Sequence, residues 1–176
     1  MSSGPVLVLV GAPGAGKTTV GRRVARELGV DFADSDELIE KRAGKAVSDI
    51  FIEDGEPVFR AMERDVIAGA LTDATGVLAL GGGAILDPDT RALLRDHTVV
   101  WLRVGISAAT DRVGMNASRP LLLGNVRGTL IRLLDERTPL YDEVSTGVVD
   151  TDGIDPAEVA RRVCALVGSA TRPVGP

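Results

Sequence analysis

The feature that most constrains the fold is a short apolar run followed directly by a glycine-rich loop. Residues 6–10 read Val-Leu-Val-Leu-Val, and residues 11–18 read Gly-Ala-Pro-Gly-Ala-Gly-Lys-Thr. A continuous apolar run of this length predicts a strand buried on both faces, as in a parallel sheet. The loop matches the pattern G-x-x-x-x-G-K-[ST], which cradles phosphates when it joins a strand to a helix. The sequence therefore predicts a nucleoside triphosphate site at the end of the first strand.

Each residue type in this loop has a physical role. Glycines permit positive φ and let backbone N–H groups approach phosphate oxygens closely. Lys17 supplies a mobile positive charge for the β- and γ-phosphates, and the Thr18 hydroxyl is a ligand suited to Mg²⁺. Val20, Val24 and Leu28 form the apolar face of the helix that follows, whose positive end points at the anion.

Further along the chain, apolar runs alternate with helical patterns. Strands are predicted at 6–10, 30–33, 77–80, 98–102 and 148–149, and helices include one from Pro57 to about Leu71 and one over about 127–137. This alternation predicts an α/β fold, a three-layer α/β/α arrangement around a five-stranded parallel sheet, with ligands at the carboxyl ends of the strands. We expect one domain over 1–170, an irregular segment over 114–125, and a disordered tail over 171–176.

Charge and cysteine content narrow the possible partners. The formal net charge of −5 argues against nucleic acid or an anionic membrane as the main partner. The single cysteine, Cys164, cannot form an internal disulfide, which suits a reducing cytoplasm, and its apolar surroundings predict a buried thiol. No segment is long enough to span a bilayer. We expect a cytoplasmic monomer.

The phosphate loop alone does not distinguish a switch GTPase, a motor ATPase and a small-molecule kinase. The guanine motif N-K-x-D is absent from the sequence, and the strand over 98–102 is followed by Arg103 instead of an acidic metal ligand. An acidic partner for Mg²⁺ is instead expected from Asp34-Ser35-Asp36, whose carboxylates would share one side of an extended chain. The alternative is an ordinary helix cap, with Ser35 or Asp36 capping a helix that begins at Glu37.

Three arginines are candidates for anion binding, and spacing alone leaves each open. Arg60 lies four residues after Glu56 and three before Glu63, which also fits an exposed ion-pair face. Arg119 lies in the irregular segment, where a basic residue could close over phosphates. Arg137 ends its predicted helix, where a cation also suits the helix dipole.

Taken together, these segments resemble the shikimate kinase family from Val6 to about Val167. Any one segment is weak evidence, but their order and distances are those of the family. Six segments carry the resemblance: the phosphate loop, Asp34-Ser35-Asp36, Phe59-Arg60-Ala61-Met62-Glu63, Leu80-Gly81-Gly82-Gly83-Ala84, Arg119-Pro120-Leu121-Leu122 and Arg137-Thr138-Pro139-Leu140-Tyr141.

The resemblance implies ATP-dependent phosphorylation of the 3-hydroxyl of shikimate, in chorismate and aromatic amino acid biosynthesis. It implies the P-loop fold of the nucleoside monophosphate kinase type, with a substrate-binding region at about 34–62 and a mobile lid at about 114–125. Lys17, Asp36 and Arg119 would be catalytic, with Asp36 as a base or an orienting acceptor. Thr18 and Asp34, the latter through water, would hold Mg²⁺.

The resemblance also implies two sets of binding residues. The ATP set is Gly14, Ala15, Gly16, Lys17, Thr18, Thr19, Arg112, which would stack on adenine, and Arg119. The shikimate set is Asp36, Phe51, Phe59, Arg60, Glu63, Gly81, Gly82, Gly83 and Arg137, in which the two arginines would bind the carboxylate. The alternatives are another P-loop kinase, acting on gluconate or a nucleoside monophosphate, and a non-catalytic nucleotide sensor.

Overall fold

The computed structural model describes residues 4–114 and 125–170. Strands and helices alternate along the chain, as the hydrophobic pattern predicts. The elements are β1 Leu7–Val10, α1 Lys17–Leu28, β2 Phe32–Asp34, α2 Ser35–Ala43, α3 Val47–Glu53, α4 Glu56–Asp73, β3 Val77–Ala79, a 3₁₀ turn Ala84–Leu86, α5 Pro88–Leu94, β4 Val99–Arg103, α6 Ile106–Gly114, α7 Val126–Val144, β5 Gly147–Asp150 and α8 Pro156–Ala170.

The five strands form one sheet in the order β2-β3-β1-β4-β5. Every recorded pairing is parallel, with Leu7 opposite Val77 in β3 and Val8 opposite Val99 in β4. All residues of β1 are buried, because β1 lies at the centre of the sheet and helices cover both faces. The α/β fold class is confirmed, and the sheet order changes direction at β1. In such sheets ligands bind beyond the carboxyl ends of the strands at this point.

Aliphatic side chains fill the main core, since only 3% of the residues are aromatic. Helix α1 packs on the sheet through Val20 and Val24, both nearly inaccessible. Gly21 allows this approach, because a Cβ there would lie 2.5 Å from a ring carbon of Phe32. A smaller separate cluster joins α2, α3 and α4 around Ile39, Ile50 and Phe59. This cluster packs the helices over about 34–62 together beside β2, the strand at the edge of the sheet.

Helix α7 differs most from its predicted bounds. It continues to Val144, with Pro139 inside it, whereas the sequence pattern predicts an end near residue 137. Proline removes one backbone hydrogen bond from a helix interior. The helix persists because one face is buried in the protein through Leu133, Arg137, Tyr141 and Val144. Tertiary packing therefore outweighs the local effect of Pro139.

Two parts of the sequence predictions lie outside the described residues. These are the predicted tail over 171–176 and all but the ends of the predicted lid over 114–125, including Arg119. Among the helices that the structure describes, none has both the length and the apolar character required to cross a membrane.

Candidate active site

The glycine-rich loop between β1 and α1 has the conformation that its sequence predicts. Gly14 and Gly16 adopt φ of 83° and 86°, the left-handed region that favours glycine. Lys17 is the first residue of α1, and its Nζ donates to the carbonyl oxygens of Gly11 at 2.7 Å and Ala12 at 3.1 Å. Among the residues that the structure describes, no side chain caps α1 at Gly16. The first N–H groups of α1 are therefore available to an anion, as in other helix N-termini that bind phosphate.

Asp34 connects the phosphate loop to the end of β2. Its Oδ2 accepts a hydrogen bond from Thr18 Oγ1 at 2.9 Å, and its Oδ1 accepts one from the Asp36 N–H at 2.8 Å. Asp34 is therefore the N-cap of α2, which begins at Ser35. The alternative interpretation placed a helix cap at Ser35 or Asp36, and the observed cap lies one or two residues earlier. Because Asp36 lies in the first turn of a helix, the expected extended geometry of the two carboxylates is also wrong.

The two carboxylates nevertheless face one cavity of about 360 Å³. The cavity lies at the carboxyl ends of β1, β2 and β3, where the sheet topology places a ligand. It brings together most of the predicted nucleotide residues, both predicted acids and part of the glycine triplet. Its lining residues are Gly14, Gly16, Lys17, Thr18, Thr19, Asp34, Asp36, Leu80, Gly81, Gly82 and Arg112.

Gly81, Gly82 and Gly83, which we call the triglycine segment, follow β3 and touch several charged side chains. A Cβ on Gly81 would lie 2.9 Å from Asp36 Oδ1, and a Cβ on Gly83 would lie 2.5 Å from the Arg60 guanidinium. The N–H of Gly81 donates to the Oγ of Ser35 at 2.9 Å. Any side chain at Gly81 or Gly83 would displace Asp36 or Arg60, because the backbone approaches both charged groups closely. The contact of the fully buried Ser35 was missed by the sequence reasoning, although Ser35 lies within the Asp-Ser-Asp motif.

Arg60 and Glu63 form an ion pair on α4, at the side of the triglycine segment. Arg60 Nη1 lies 2.8 Å from Glu63 Oε1, whose side chain is only 5% exposed, and Arg60 Nη2 lies 3.3 Å from Glu56. Burial raises the pKa of the Glu63 carboxyl, and the positive charge of Arg60 partly opposes that shift. Arg60 is therefore not on a wholly exposed ion-pair face. It joins a solvated carboxylate to a buried one.

Arg137 lies in the interior, on the face of α7 that packs against the rest of the protein. It is 4% exposed, and its Nε finds no hydrogen-bond partner among the residues described. A buried guanidinium is normally paired, because desolvation of an unpaired charge is strongly unfavourable. Its charge acts on Glu63 and on Tyr141. An anion bound here would receive both charge compensation and hydrogen bonds.

Tyr141 follows Arg137 by one helical turn. Its Oη donates to the carbonyl oxygen of Gly82 at 2.5 Å. Burial raises the pKa of this phenol to about 12, and the Arg137 charge opposes the shift. Tyr141 ends the motif that begins at Arg137, and the motif alone predicts no role for it; the spacing of four residues from Arg137 is the signal that places both on one helix face.

Arg112, on α6, lies on the other side of the phosphate loop. Its Nη1 donates to the carbonyl oxygen of Gly14 at 2.9 Å, and its Nη2 to that of Thr151 at 3.4 Å. A second cavity, of about 340 Å³, adjoins it and includes Ile154 and Pro156 among its lining residues. A guanidinium plane beside apolar side chains next to a phosphate loop suits a planar, uncharged ring.

The predicted aromatic residues occupy supporting positions. Phe51 and Phe59 pack together, with 4.5 Å between ring centroids, and Phe59 is 3% exposed. The residues that line the 360 Å³ cavity include neither ring. Cys164 is only partly buried, which corrects the expectation of a core thiol, and its Sγ lies 3.3 Å from Glu27 Oε2. Within residues 4–114 and 125–170, no three His, Cys, Asp or Glu side chains form a candidate metal cluster.

Comparisons with known proteins agree with this architecture. The family model for shikimate kinase matches residues 13–167. The chain is 56% identical to a shikimate kinase of Thermobifida fusca (strain YX), covering 97% of this chain and 99% of that protein. It is 54% identical to a shikimate kinase of Salinispora arenicola (strain CNS-205), covering 94% of this chain and 99% of that protein.

Solved structures of shikimate kinases have the same fold as this chain. A structure of shikimate kinase from Acinetobacter baumannii in complex with shikimate superposes with a TM-score of 0.91 at 37% identity, covering 95% of this chain and 94% of that one. A gluconokinase from Sinorhizobium meliloti 1021 shares the fold alone, with a TM-score of 0.62 at 19% identity. The match of the family model over most of the chain and the high identity to relatives over nearly their full length show that this chain belongs to the shikimate kinase family.

Proposed function

We propose that this protein transfers the γ-phosphoryl group of ATP to the 3-hydroxyl of shikimate, giving shikimate 3-phosphate and ADP. The observation that carries the proposal is the phosphate-loop cavity together with two arginines at its triglycine wall. Arg60 approaches Gly83, and Arg137 interacts with Tyr141, which is hydrogen-bonded to Gly82. Phosphate loops occur in many protein classes, but guanidinium groups beside an acceptor pocket favour a carboxylated substrate. The relatives named as shikimate kinases support this choice.

Arg60 and Arg137 are proposed to bind the shikimate carboxylate. Two guanidinium groups offset the desolvation of a carboxylate that moves from water into a pocket. Glu63 holds Arg60 by its 2.8 Å ion pair, so that the guanidinium is oriented before the substrate arrives. Orientation in advance reduces the entropy lost on binding.

Asp36 is proposed to hold the acceptor hydroxyl. It lines the cavity together with Lys17, which fits an acceptor oxygen placed opposite the phosphate loop. Phosphoryl transfer passes through a loose transition state rich in negative charge, so positioning and electrostatics dominate over covalent chemistry. Asp36 would accept a hydrogen bond from the hydroxyl and receive its proton as the bond to phosphorus forms. Lys17 and Arg119 would stabilise the charge on the transferred group.

Thr18 and Asp34 fit a Mg²⁺ ion. The hydroxyl and the carboxylate lie together, 2.9 Å apart, and both are hard oxygen donors of the kind that Mg²⁺ prefers. Few protein ligands are needed, since Mg²⁺ keeps several waters and takes the rest of its ligands from phosphate oxygens. When bound, the ion would neutralise phosphate charge. Arg112 and the neighbouring apolar cavity are proposed to hold the adenine ring.

We further propose that residues 1–170 act as one domain, with the substrate region at 34–62 and a lid at 114–125 that brings Arg119 to the phosphates. A lid would exclude water, which otherwise competes with shikimate for the phosphoryl group. A cytoplasmic monomer remains the expected form.

The test is an acceptor screen. ADP release is measured with ATP, Mg²⁺ and one acceptor at a time: shikimate, gluconate, AMP or CMP. Of the four acceptors, we expect only shikimate to support turnover. A ³¹P–¹H correlation spectrum of the product should place the phosphate on the 3-hydroxyl. Turnover with gluconate or a nucleotide but not with shikimate would replace the proposed acceptor. Tight ATP binding without turnover on any acceptor would favour a nucleotide sensor.

A further inference from the structure

The side chain of Tyr141 is held at both of its ends. Its ring stacks on Trp101 of β4, with 5.7 Å between centroids, and its hydroxyl donates to Gly82 O at 2.5 Å. Tyr141 is 1% exposed and is the only tyrosine of the chain. A phenol fixed in this way holds the backbone that it contacts, because neither partner can move without leaving a buried polar group unsatisfied.

The contact determines how the next peptide group points. The carbonyl and the following N–H of a trans peptide point in opposite directions, and no cis peptide is found in the described residues. Anchoring Gly82 O on Tyr141 therefore directs the N–H of Gly83 away from α7. Gly83 is buried, and this N–H makes no hydrogen bond within residues 4–114 and 125–170. Since buried backbone donors are nearly always paired, the Gly83 N–H is suited to a ligand oxygen.

Tyr141 also interacts with Arg137, one of the two arginines proposed to bind the substrate carboxylate. Arg137 and Tyr141 are separated by one turn of α7 and share its buried face. On the other side of the segment, a Cβ at Gly83 would meet the Arg60 guanidinium at 2.5 Å. The Gly82–Gly83 peptide thus meets the Arg60 guanidinium at Gly83 and is held at Gly82 by Tyr141, which shares the buried face of α7 with Arg137.

We propose that Tyr141 is a positioning residue for the acceptor: its hydroxyl orients the Gly82–Gly83 peptide so that the Gly83 N–H donates to an oxygen of the substrate held by Arg60 and Arg137. This inference rests on the proposed function and names a further residue for it. Tyr141 does not touch the reacting atoms, and its effect falls on acceptor binding.

Tyr141→Phe tests the proposal, because it removes the hydroxyl and keeps the ring. We expect KM for shikimate to rise about 5- to 20-fold, the range for losing one oriented hydrogen bond, while kcat and KM for ATP stay within about twofold. The matched control is Trp101→Phe, which alters the ring stack and leaves the hydroxyl in place. It should keep KM for shikimate within about twofold of the wild type.

Two results would overturn the inference: an unchanged KM for shikimate in Tyr141→Phe, or an equal rise in KM for both substrates. If that variant fails to fold, wild-type protein labelled with [¹³Cζ]tyrosine gives a single resonance, which should shift with shikimate and not with gluconate. An unshifted resonance at saturating shikimate would also contradict the proposal. Absence of wild-type turnover on shikimate would instead contradict the proposed function itself.

Discussion

Replacing Arg60 by alanine removes one of the two guanidinium groups proposed to bind the shikimate carboxylate. A hydrogen bond to a charged group contributes about 1.5–3 kcal/mol, and about 1.4 kcal/mol corresponds to a tenfold change in binding. KM for shikimate should therefore rise about 10- to 150-fold. KM for ATP should stay within about twofold, because the contacts of Arg60 are with Glu56, Glu63, Phe59 and Gly83, and not with the phosphate loop.

The same substitution should lower stability, because it leaves the buried carboxylate of Glu63 with less compensation. Loss of one partner of a fully buried pair costs about 3–5 kcal/mol, but the Arg60 side chain is 23% exposed, so solvent screening reduces this to about 1–3 kcal/mol. For a chain of this size we expect the thermal midpoint to fall by about 3–9 °C.

The stability loss should also depend on pH. Burial raises the pKa of Glu63 and Arg60 lowers it, so removing Arg60 raises that pKa further. A carboxyl whose pKa is raised in the folded state contributes stability at low pH, which is lost as pH rises through the folded pKa. The midpoint of Arg60→Ala should therefore fall further below that of the wild type at pH 8 than at pH 5.

Steady-state kinetics with both substrates varied, together with calorimetric melting, measure these effects. Arg64→Ala is the matched control, since Arg64 lies one turn further along α4, is 47% exposed and faces Asp87 at 3.7 Å. It should change neither KM. A KM for shikimate within twofold of the wild type in Arg60→Ala would remove Arg60 from the acceptor site. An equal rise in Arg64→Ala would show a general effect on α4.

Three further predictions follow from the site and its surroundings. Asp36→Asn should lower kcat by about 10²–10⁴-fold while leaving the affinity for a non-hydrolysable ATP analogue, measured by calorimetry, nearly unchanged; an activity close to wild type would exclude an acid–base or orienting role. Glu63→Gln should melt at a higher temperature than the wild type at pH 8, because the substitution removes a buried carboxylate whose ionisation costs stability. The difference should narrow toward pH 4.5, where the carboxyl of the wild type becomes protonated. A variant that is less stable than the wild type at both pH values would contradict this. Cys164 should react with a disulfide reagent at pH 8 at least about 50-fold more slowly in the folded than in the unfolded chain, because burial first and then Glu27 raise its pKa to about 11. Equal rates would contradict this raised pKa.

The elements that follow from local chemistry were predictable from the sequence. The β1 run is buried as its composition requires, and the glycines at 14 and 16 adopt the positive φ that the loop pattern implies. The alternation of strands and helices restricts the order and register of the sheet to a small set of topologies but does not choose among them. The structure selects the order β2-β3-β1-β4-β5.

The capping of α2 shows where local reasoning fails. Ser35, Asp36 and Asp34 are all suitable N-caps by residue type, and the sequence could not choose among them. The choice is made by Thr18, sixteen residues earlier, whose hydroxyl holds the second oxygen of Asp34 at 2.9 Å. One carboxylate therefore serves both the helix and the phosphate loop.

By itself, the sequence determined the phosphate loop, the parallel α/β architecture and the residue types that an acceptor site needs, because these depend on neighbours along the chain. Only the tertiary structure decided that α7 continues through Pro139, that Arg137 is buried, and that Tyr141 holds a carbonyl 59 residues away. These outcomes depend on which helix face packs against the triglycine segment. Packing free energy of that kind is summed over distant residues and leaves no local pattern.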